Sequence, residues 1–332
     1  MSKIESYYLY SNGILSRKDN VVRMETPDGR KKDLKIEMTR DIYLFGEVTT
    51  NTKCLNYLSE MKVPVHFFNY YGYYTGTFYP REKNISGKLL VQQVLHSIDE
   101  EKRLLLARKF VDRATANCLR NLQYYRRRGK EVEKQISDIE SVRKRISRAY
   151  EVDELMGLEG NIHQLYYSAW ETIFNDEVEF KKRVRRPPDN MVNTLISYLN
   201  MLTYSACLSE IYVSQLNPTI SYLHSNSERR FSLSLDIAEI FKPLIVDRLI
   251  FSLINKKIIT EKDFEKGSVG NYLKQAGQQK VLRQFDERLN QTIRHRELKR
   301  NVSYRKLMRL ECYKLIKHFL SDKEYEPFKI WW

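Results

Sequence analysis

The residues that turn a chain are unevenly distributed in this sequence, and this divides it into two parts. Pro and Gly most often end helices and strands. Six of the twelve Gly fall within the first 87 residues, whereas no Pro and only four Gly occur between Arg81 and Arg186. A chain of 332 residues whose composition changes near residue 85 is expected to fold as two domains.

The first part alternates short apolar runs with turn signals. Asn12-Gly13 follows the apolar residues 7–10, and Asp28-Gly29 follows the apolar residues 21–24. Asn-Gly and Asp-Gly are typical of β-hairpins because these residues tolerate positive φ. Apolar runs on both sides of Gly72 predict a third hairpin, and residues 51–61 predict a helix.

The second part has the spacing of helices. Apolar residues recur at roughly helical intervals over residues 88–128, which predicts one or two long helices ending before Gly129. The remainder is interpreted as helical to about residue 320. The predicted fold class is therefore α+β, with a small antiparallel β domain over residues 1–85 and a large all-α domain over residues 86–332.

Several sequence features indicate where in the cell the protein is expected to be. The N-terminus shows no apolar stretch typical of a signal peptide. The longest uncharged run, residues 190–209, carries too many Asn, Ser and Thr residues for a membrane span and is interpreted as a buried core helix. Four scattered cysteines without a C-x-x-C pair favour free thiols in a reducing cytoplasm over a zinc or redox site.

The charge of the chain points to an anionic partner. The net charge is +15, and +12 of it falls on residues 88–332. Basic clusters such as Arg185-Arg186 and Arg229-Arg230 are typical of proteins that bind a phosphate backbone. One such cluster alone would favour a solvated surface. The basic character of a whole domain favours nucleic acid, and no clean amphipathic helix supports a membrane surface.

Two carboxylates lie in a run of almost entirely apolar residues. Asp236 and Glu239 are three residues apart and share a helix face. Buried carboxylates must be paired, hydrogen-bonded or bound to a metal. The spacing does not distinguish a metal site from a structural ion pair, such as Glu239 with Lys242.

Two histidines compete as ligands beside these acids. His224 precedes Asp236 by twelve residues in a polar loop, and His163 lies four residues after Glu159. Glu159 lies between two glycines, which would let the backbone approach another molecule, although an exposed Glu at a helix start is the alternative. Oxygen ligands with one imidazole suit Mg²⁺ or Mn²⁺, which drive phosphodiester chemistry. Spacing does not choose between the histidines.

The order of these motifs resembles that of a known family. Glu159-Gly160 precedes Tyr166-Tyr167, Asn217-Pro218 precedes His224, and Asp236-Ile-Ala-Glu239-Ile-Phe-Lys242-Pro243 follows. This set is similar to the CRISPR-associated endonucleases of the adaptation module, the first of the Cas proteins, which integrate spacers. The correspondence spans about residues 155–248.

The resemblance implies a metal site and a set of partners. Its catalytic and metal-binding residues would be Glu159, His224 and Glu239, with Asp236 as a carboxylate close to the site. The implied partners are double-stranded DNA, a second copy bound through the β domain, and a small second adaptation protein that bridges two dimers. The resemblance places Lys242 near the bound DNA, and the basic clusters add Arg185, Arg186 and Arg230 to the expected DNA-binding residues.

The function expected from this resemblance is the insertion of short foreign DNA fragments into a CRISPR repeat array by transesterification. Two departures stand out: Gln164 replaces an Arg of many members, and Glu239 replaces an Asp of several. Two alternatives remain at this stage. One is a basic DNA-binding architectural protein without catalysis, and the other is an integrase of mobile DNA outside any repeat array.

Overall fold

The structure, a computed structural model, describes residues 4–82, 85–175, 178, 180–185, 187–224, 231–267 and 270–332. The chain forms two compact units. The first comprises Met1–Lys83 with Leu273–Leu282, and the second comprises Asn84–Tyr272 with Arg283–Trp332.

The first unit is built mainly of short strands. Its strands pair in two sheets, with the orders β1-β5-β7-β8 and β4-β3-β2-β6. The elements are β1 (Glu5–Leu9), β2 (Gly13–Lys18), β3 (Val21–Glu25), β4 (Lys31–Leu34), a 3₁₀ turn (Ile36–Met38), β5 (Thr39–Leu44), β6 (Val48–Thr50), α1 (Thr52–Glu60), β7 (Val65–Phe68) and β8 (Tyr74–Phe78). Apolar residues from both sheets and from α1 form one buried core, which includes Val22, Leu34, Ile42 and Leu58.

Two of the three predicted hairpins are confirmed. Strands β3 and β4 pair antiparallel around Gly29, and β7 and β8 pair antiparallel around Gly72. Both glycines have a positive φ, +83° and +79°, which explains why these turns require them. The predicted helix over residues 51–61 is also confirmed, and it begins where the Asn51 side chain accepts a hydrogen bond from the backbone N–H of Cys54.

The hairpin predicted at Asn12-Gly13 is wrong. Strand β1 pairs parallel with β5, so β1 and β2 lie in different sheets. The Asn12 side chain instead accepts a hydrogen bond from the backbone N–H of Glu47, 35 residues away in the chain. A long-range contact of this kind leaves no signal in local turn chemistry.

The fold class is confirmed as a β-sheet region followed by a helical domain, but the sheets are not purely antiparallel. Strands β5 and β7 pair parallel, as do β2 and β6. Parallel neighbours require connections that leave and re-enter a sheet, and here α1 lies between β6 and β7.

After residue 84 the chain is mostly helical, as predicted, with two short hairpins that the helical interpretation missed. The elements are α2 (Gly87–Ile98), α3 (Glu100–Arg126), α4 (Glu133–Ile146), α5 (Val152–Ser168), α6 (Trp170–Ile173), α7 (Met191–Tyr212), α8 (Ser232–Lys242), α9 (Arg248–Asn255), a 3₁₀ turn (Glu261–Asp263), β9 (Phe264–Gly267), β10 (Gly270–Leu273), α10 (Gln275–Asn290), β11 (Thr292–Arg294), β12 (Asn301–Ser303) and α11 (Tyr304–Phe319).

The long helices over residues 88–128 begin at side-chain caps and end before a glycine. Ser86 caps α2 by accepting from the backbone N–H of Leu89, and Asp99 caps α3 by accepting from that of Lys102. Gly129 follows α3 with a φ of +80°, which confirms it as the helix stop.

The uncharged run over residues 190–209 is the buried core helix that was predicted. Asn190 caps α7, and nearly every residue of that helix is buried. Among the residues that the structure describes, no helix combines the length and the apolar character needed to cross a membrane.

The apolar run that carries Asp236 and Glu239 is helical but not regular. Helix α8 ends at Lys242, and a π-helical turn, Pro243–Asp247, joins it to α9. Proline has no N–H for the α-helical ladder, and its ring crowds the preceding turn, so a widened turn at Pro243 is the expected accommodation. Asp247 is the last residue of this turn, and Arg248 is the first residue of α9.

Candidate metal centre

Two helices bring three potential metal ligands together. Ligand atoms of Glu159, His163 and Glu239 all lie within 4.8 Å of one another. Glu159 and His163 are four residues apart on α5 and therefore project from one face. Glu239 approaches them from α8. Of the sequence-predicted residues, Glu159 and Glu239 thus meet, and the competing His163 joins them.

The carboxylate of Glu239 is buried with one oxygen paired and the other not. Its Oε1 accepts from the ammonium group of Lys242. Its Oε2 is buried and has no hydrogen-bond partner among the described residues. The ion pair considered from sequence is therefore present, but it uses only half of the acceptor capacity of Glu239. A buried, unsatisfied carboxylate oxygen is costly unless a cation binds it, so the donor set fits a hard divalent metal ion.

The two carboxylates have pKa values displaced in opposite directions. Burial raises the pKa of Glu159, and the nearby charge of Glu239 raises it further. Burial would also raise the pKa of Glu239, but the adjacent Lys242 and the nearby imidazoles outweigh burial and hold this pKa below its usual range. Glu239 is therefore the permanent anion of the pair.

His224 lies outside the group of atoms within 4.8 Å, although its charge lowers the pKa of both Glu159 and Glu239. Its ring is held by Asp236, whose Oδ1 lies 2.7 Å from Nδ1. Burial would lower the pKa of His224, but this hydrogen bond and the charge of Asp236 raise it. Because Nδ1 is engaged, Nε2 is the nitrogen left for a ligand.

Asp236 also fixes the backbone of the loop that carries His224. Its Oδ2 accepts from the backbone N–H groups of Tyr222 and Leu223 at 2.7 and 3.1 Å. Its Oδ1 accepts from the backbone N–H of His224 at 3.0 Å. With its carboxylate occupied in this way, Asp236 positions the loop and its imidazole.

The residues predicted to bind DNA occupy different settings. Lys242 is largely buried, pairs with Glu239 and lies 5.1 Å from the centre of the Tyr204 ring. Glu239 raises the pKa of Lys242 against the effect of burial, so this ammonium group stays charged. Arg185 is exposed. Arg186 and Arg230 lie outside the described residues.

Glu159 lies in the middle of α5 and is half-buried, not at an exposed helix start. A Cβ atom at Gly157 or Gly160 would meet nothing within 4 Å. No protein segment that the structure describes therefore approaches the backbone there.

Asp247, which has no role assigned from the sequence, is a third buried carboxyl group near the centre, beside those of Asp236 and Glu239. Burial raises the pKa of Asp247 to about 7, and the Tyr166 hydroxyl group hydrogen-bonds to it. The same hydroxyl group accepts from Asn121 Nδ2 at 3.0 Å. The signal that could have singled it out is the presence of Asp247 in the same apolar run as Asp236 and Glu239.

A β-sheet region followed by a helical domain, in which two acids and one imidazole lie close together, is compatible with the class of metal-dependent enzymes that act on phosphodiesters. The family model for CRISPR-associated protein Cas1 matches residues 7–287. The chain belongs to the Cas1 family, and it is an enzyme of this endonuclease family.

Individual relatives agree over nearly the full length. The chain is 54% identical over 327 residues to the CRISPR-associated endonuclease Cas1 of Fusobacterium nucleatum, which covers 98% of this chain and 97% of the relative. A Cas1 protein from Thermotoga maritima superposes with a TM-score of 0.89 at 41% identity, covering 98% of this chain and all of the other. A casposase solved bound to an integration product has the same fold, with a TM-score of 0.87 at 20% identity, covering 97% of this chain and 93% of the casposase.

Proposed function

We propose that this protein is a metal-dependent DNA endonuclease and integrase that inserts short foreign DNA fragments into a CRISPR repeat array. The observation that carries the proposal is the convergence of Glu159 and Glu239 in a strongly basic chain of the Cas1 family, with one buried carboxylate oxygen of Glu239 that has no hydrogen-bond partner among the described residues.

Glu159, His224 and Glu239 would hold the metal ion, Mg²⁺ or Mn²⁺. When bound, such an ion supplies electrophilic activation of the phosphodiester and neutralises charge that develops on its oxygens. His163 is close enough to Glu159 and Glu239 to act as a further ligand or to compete with His224 for the metal ion. Mutation of each histidine separates the two roles.

The surrounding residues prepare the ligands. Lys242 orients Glu239 by an ion pair to Oε1. Oε2 has no hydrogen-bond partner among the described residues and would bind the metal ion. Asp236 fixes the tautomer of His224 by accepting from Nδ1, the arrangement that metal-binding histidines commonly use. Glu239 and His224 are then each held by a partner that does not itself need to touch the metal.

In the proposed reaction, a 3′-hydroxyl group of a DNA fragment attacks a phosphodiester of the repeat array. The attacking hydroxyl group loses its proton as a new P–O bond forms, the old P–O bond breaks, and the leaving oxygen takes up a proton, so that the released strand ends in a 3′-hydroxyl group. Attack by water instead gives plain strand cleavage. The casposase of the same fold, bound to its integration product, makes this chemistry compatible with the scaffold.

The proposed partners follow from charge and family. The excess of +12 over residues 88–332, with exposed Arg185, would hold duplex DNA by its backbone. The family resemblance adds a homodimer through the N-terminal unit and a small second adaptation protein that bridges two dimers. Of these three partners, duplex DNA is the one that the exposed positive charge of this chain would bind.

A plasmid-nicking assay with Mn²⁺ or Mg²⁺ tests the proposal. Glu159→Gln removes a ligand charge at nearly constant volume and should lower the nicking rate by at least about a hundredfold, since even outer-shell changes cost 10–100-fold. Asp153→Asn is the matched control, because Asp153 is exposed on the same helix. Equal nicking rates for the two variants would contradict the proposal that Glu159 belongs to a catalytic metal site.

A further inference from the structure

A cavity in the helical unit shares no lining residue with the candidate metal centre. Its volume is about 660 Å³, within the range of small-molecule sites. Five basic side chains line it: Arg128, Lys130, Arg248, Lys256 and Arg288. None of the described residues that line it is acidic.

The two innermost guanidinium groups have only neutral partners among the described residues. Arg248 Nε donates to Asn121 Oδ1 at 2.7 Å. Arg288 donates to the backbone carbonyl of Leu244 in the π-helical turn, at 2.7 Å from one terminal nitrogen. Both guanidinium groups keep further N–H donors for another acceptor, because a guanidinium group has five.

These two cations also act on each other. Burial lowers the pKa of Arg288 to about 10, and the charge of Arg248 contributes to the decrease. Burial likewise lowers the pKa of Arg248. Half-buried like charges close to each other are unfavourable, and an anion bound between them would relieve both the burial cost and the repulsion.

Aromatic rings form the other part of the wall. Tyr124, Tyr125, Tyr304 and Trp332 line the cavity. The Arg128 guanidinium lies 4.6 Å from the centre of the Tyr124 ring, and that of Arg288 lies 5.5 Å from the centre of the Tyr304 ring. Arginines beside aromatic faces bind nucleotides well, because the cation pairs with phosphate and the ring stacks on a base.

We propose that this cavity binds a nucleotide, with its phosphate between Arg248 and Arg288 and its base against the aromatic side chains. The nucleotide has two possible sources, a free nucleotide or one unit of a DNA strand. Only the second source rests on the proposed function, and binding at this cavity does not depend on the metal ligands.

Calorimetric titration with adenosine 5′-monophosphate, and separately with a 5′-phosphorylated single-stranded oligonucleotide, tests the proposal. Both titrations are made in EDTA, so the measured affinities do not depend on a metal ion at the candidate metal centre. Arg288→Gln should weaken binding at least about tenfold, the effect expected for a lost charge-assisted hydrogen bond. The matched control is Arg283→Gln, which removes the same charge from an exposed position on the same helix.

A second variant keeps the test valid if Arg288→Gln does not fold. Lys256 lines the cavity but is exposed, and Lys256→Gln should weaken binding with no change in melting temperature.

Weaker binding of the mononucleotide by the cavity variants than by Arg283→Gln supports the proposal with a free nucleotide as source. Weaker binding of the oligonucleotide alone supports it with a DNA strand as source. The proposal is overturned if wild type binds neither probe, or if the cavity variants bind both as tightly as Arg283→Gln does.

Discussion

At the scale of single residues, the candidate metal centre poses a choice between two imidazoles. His163 lies within 4.8 Å of both carboxylates, but none of the residues that the structure describes holds its ring by a hydrogen bond. His224 is farther from the carboxylates, but Asp236 holds its Nδ1 and three consecutive backbone N–H groups of its loop. A ligand that is held in advance loses less entropy on binding, which favours His224.

We therefore expect the two histidines to differ when replaced. His224→Ala should lower both Mn²⁺ affinity and plasmid nicking by at least about a hundredfold, because it removes a ligand. His163→Ala should cost less than about tenfold, because it removes only a neighbouring charge. Electron paramagnetic resonance of free Mn²⁺ and the nicking assay measure both quantities. The reverse order of effects would assign the imidazole ligand to His163.

The sequence could identify the acids of this site but not their geometry. The run around Asp236 and Glu239 indicates burial, because a helix with apolar residues on nearly all of its faces is expected to be buried. Which imidazole meets them depends on how α5, α8 and the loop before α8 pack, and no local pattern encodes that packing. The motif order supplied His224, and the contacts supply the positioning role of Asp236.

At the scale of secondary-structure elements, the π-helical turn Pro243–Asp247 carries a titratable group in the core. Burial raises the folded-state pKa of Asp247 from 3.8 to about 7. The folded state therefore binds more protons than the unfolded state between these values, so the free energy of unfolding decreases as pH rises through this window. Below the lower value, both states are protonated and the contribution of Asp247 to stability is fully present.

Asp247→Asn should remove this dependence. At about 1.4 kcal/mol per pKa unit, ionised Asp247 costs a few kcal/mol, so the variant should be more stable than wild type at pH 8 by an amount of that order. The advantage should shrink as pH falls toward 4. Urea unfolding across pH, in EDTA, measures it, with the exposed Asp153→Asn as control. Parallel pH curves for wild type and Asp247→Asn would contradict the burial of a protonated carboxyl group.

Two glycines of the helical unit should respond oppositely to alanine. Gly157 lies on the exposed face of α5, and a methyl group added there would meet no other atom within 4 Å, so Gly157→Ala should stabilise the fold by roughly 0.5–1 kcal/mol. Gly129 has a φ of +80°, so Gly129→Ala should destabilise it by about 1 kcal/mol. Thermal unfolding of the two variants measures the difference. A shift of the same sign in both would contradict this assignment of the two backbone conformations.

Caps and turn residues in the sequence predicted the secondary-structure elements better than they predicted which elements pair with one another. The helix at residues 51–61, the stop at Gly129 and two hairpins follow from caps and turn residues that act within a few positions. The pairing of β1 with β5 and the π-helical turn at Pro243 do not, because each depends on neighbours distant in the chain. The hairpins β9–β10 and β11–β12 were missed because strands of three or four residues are too short for alternation to be visible.

At the scale of the whole molecule, the charge distribution is the property that sequence alone determined. The excess of +12 over residues 88–332 predicts DNA binding dominated by backbone phosphates. The logarithm of the DNA association constant should then fall linearly with the logarithm of salt concentration, with a slope of about −0.9 per phosphate contacted. Fluorescence anisotropy with labelled duplex DNA, in EDTA, measures this slope.

Substitution of single cations should show which part of the chain makes the contacts. If exposed Arg185 contacts one phosphate, Arg185→Gln should reduce the magnitude of the slope by about 0.9 and weaken binding about equally on unrelated sequences. Lys35→Gln removes the same charge from an exposed position of the N-terminal unit and should leave the slope unchanged. Because both variants have the same net charge, equal slopes for the two would mean that the total charge of the molecule, and not a surface on its helical unit, attracts DNA.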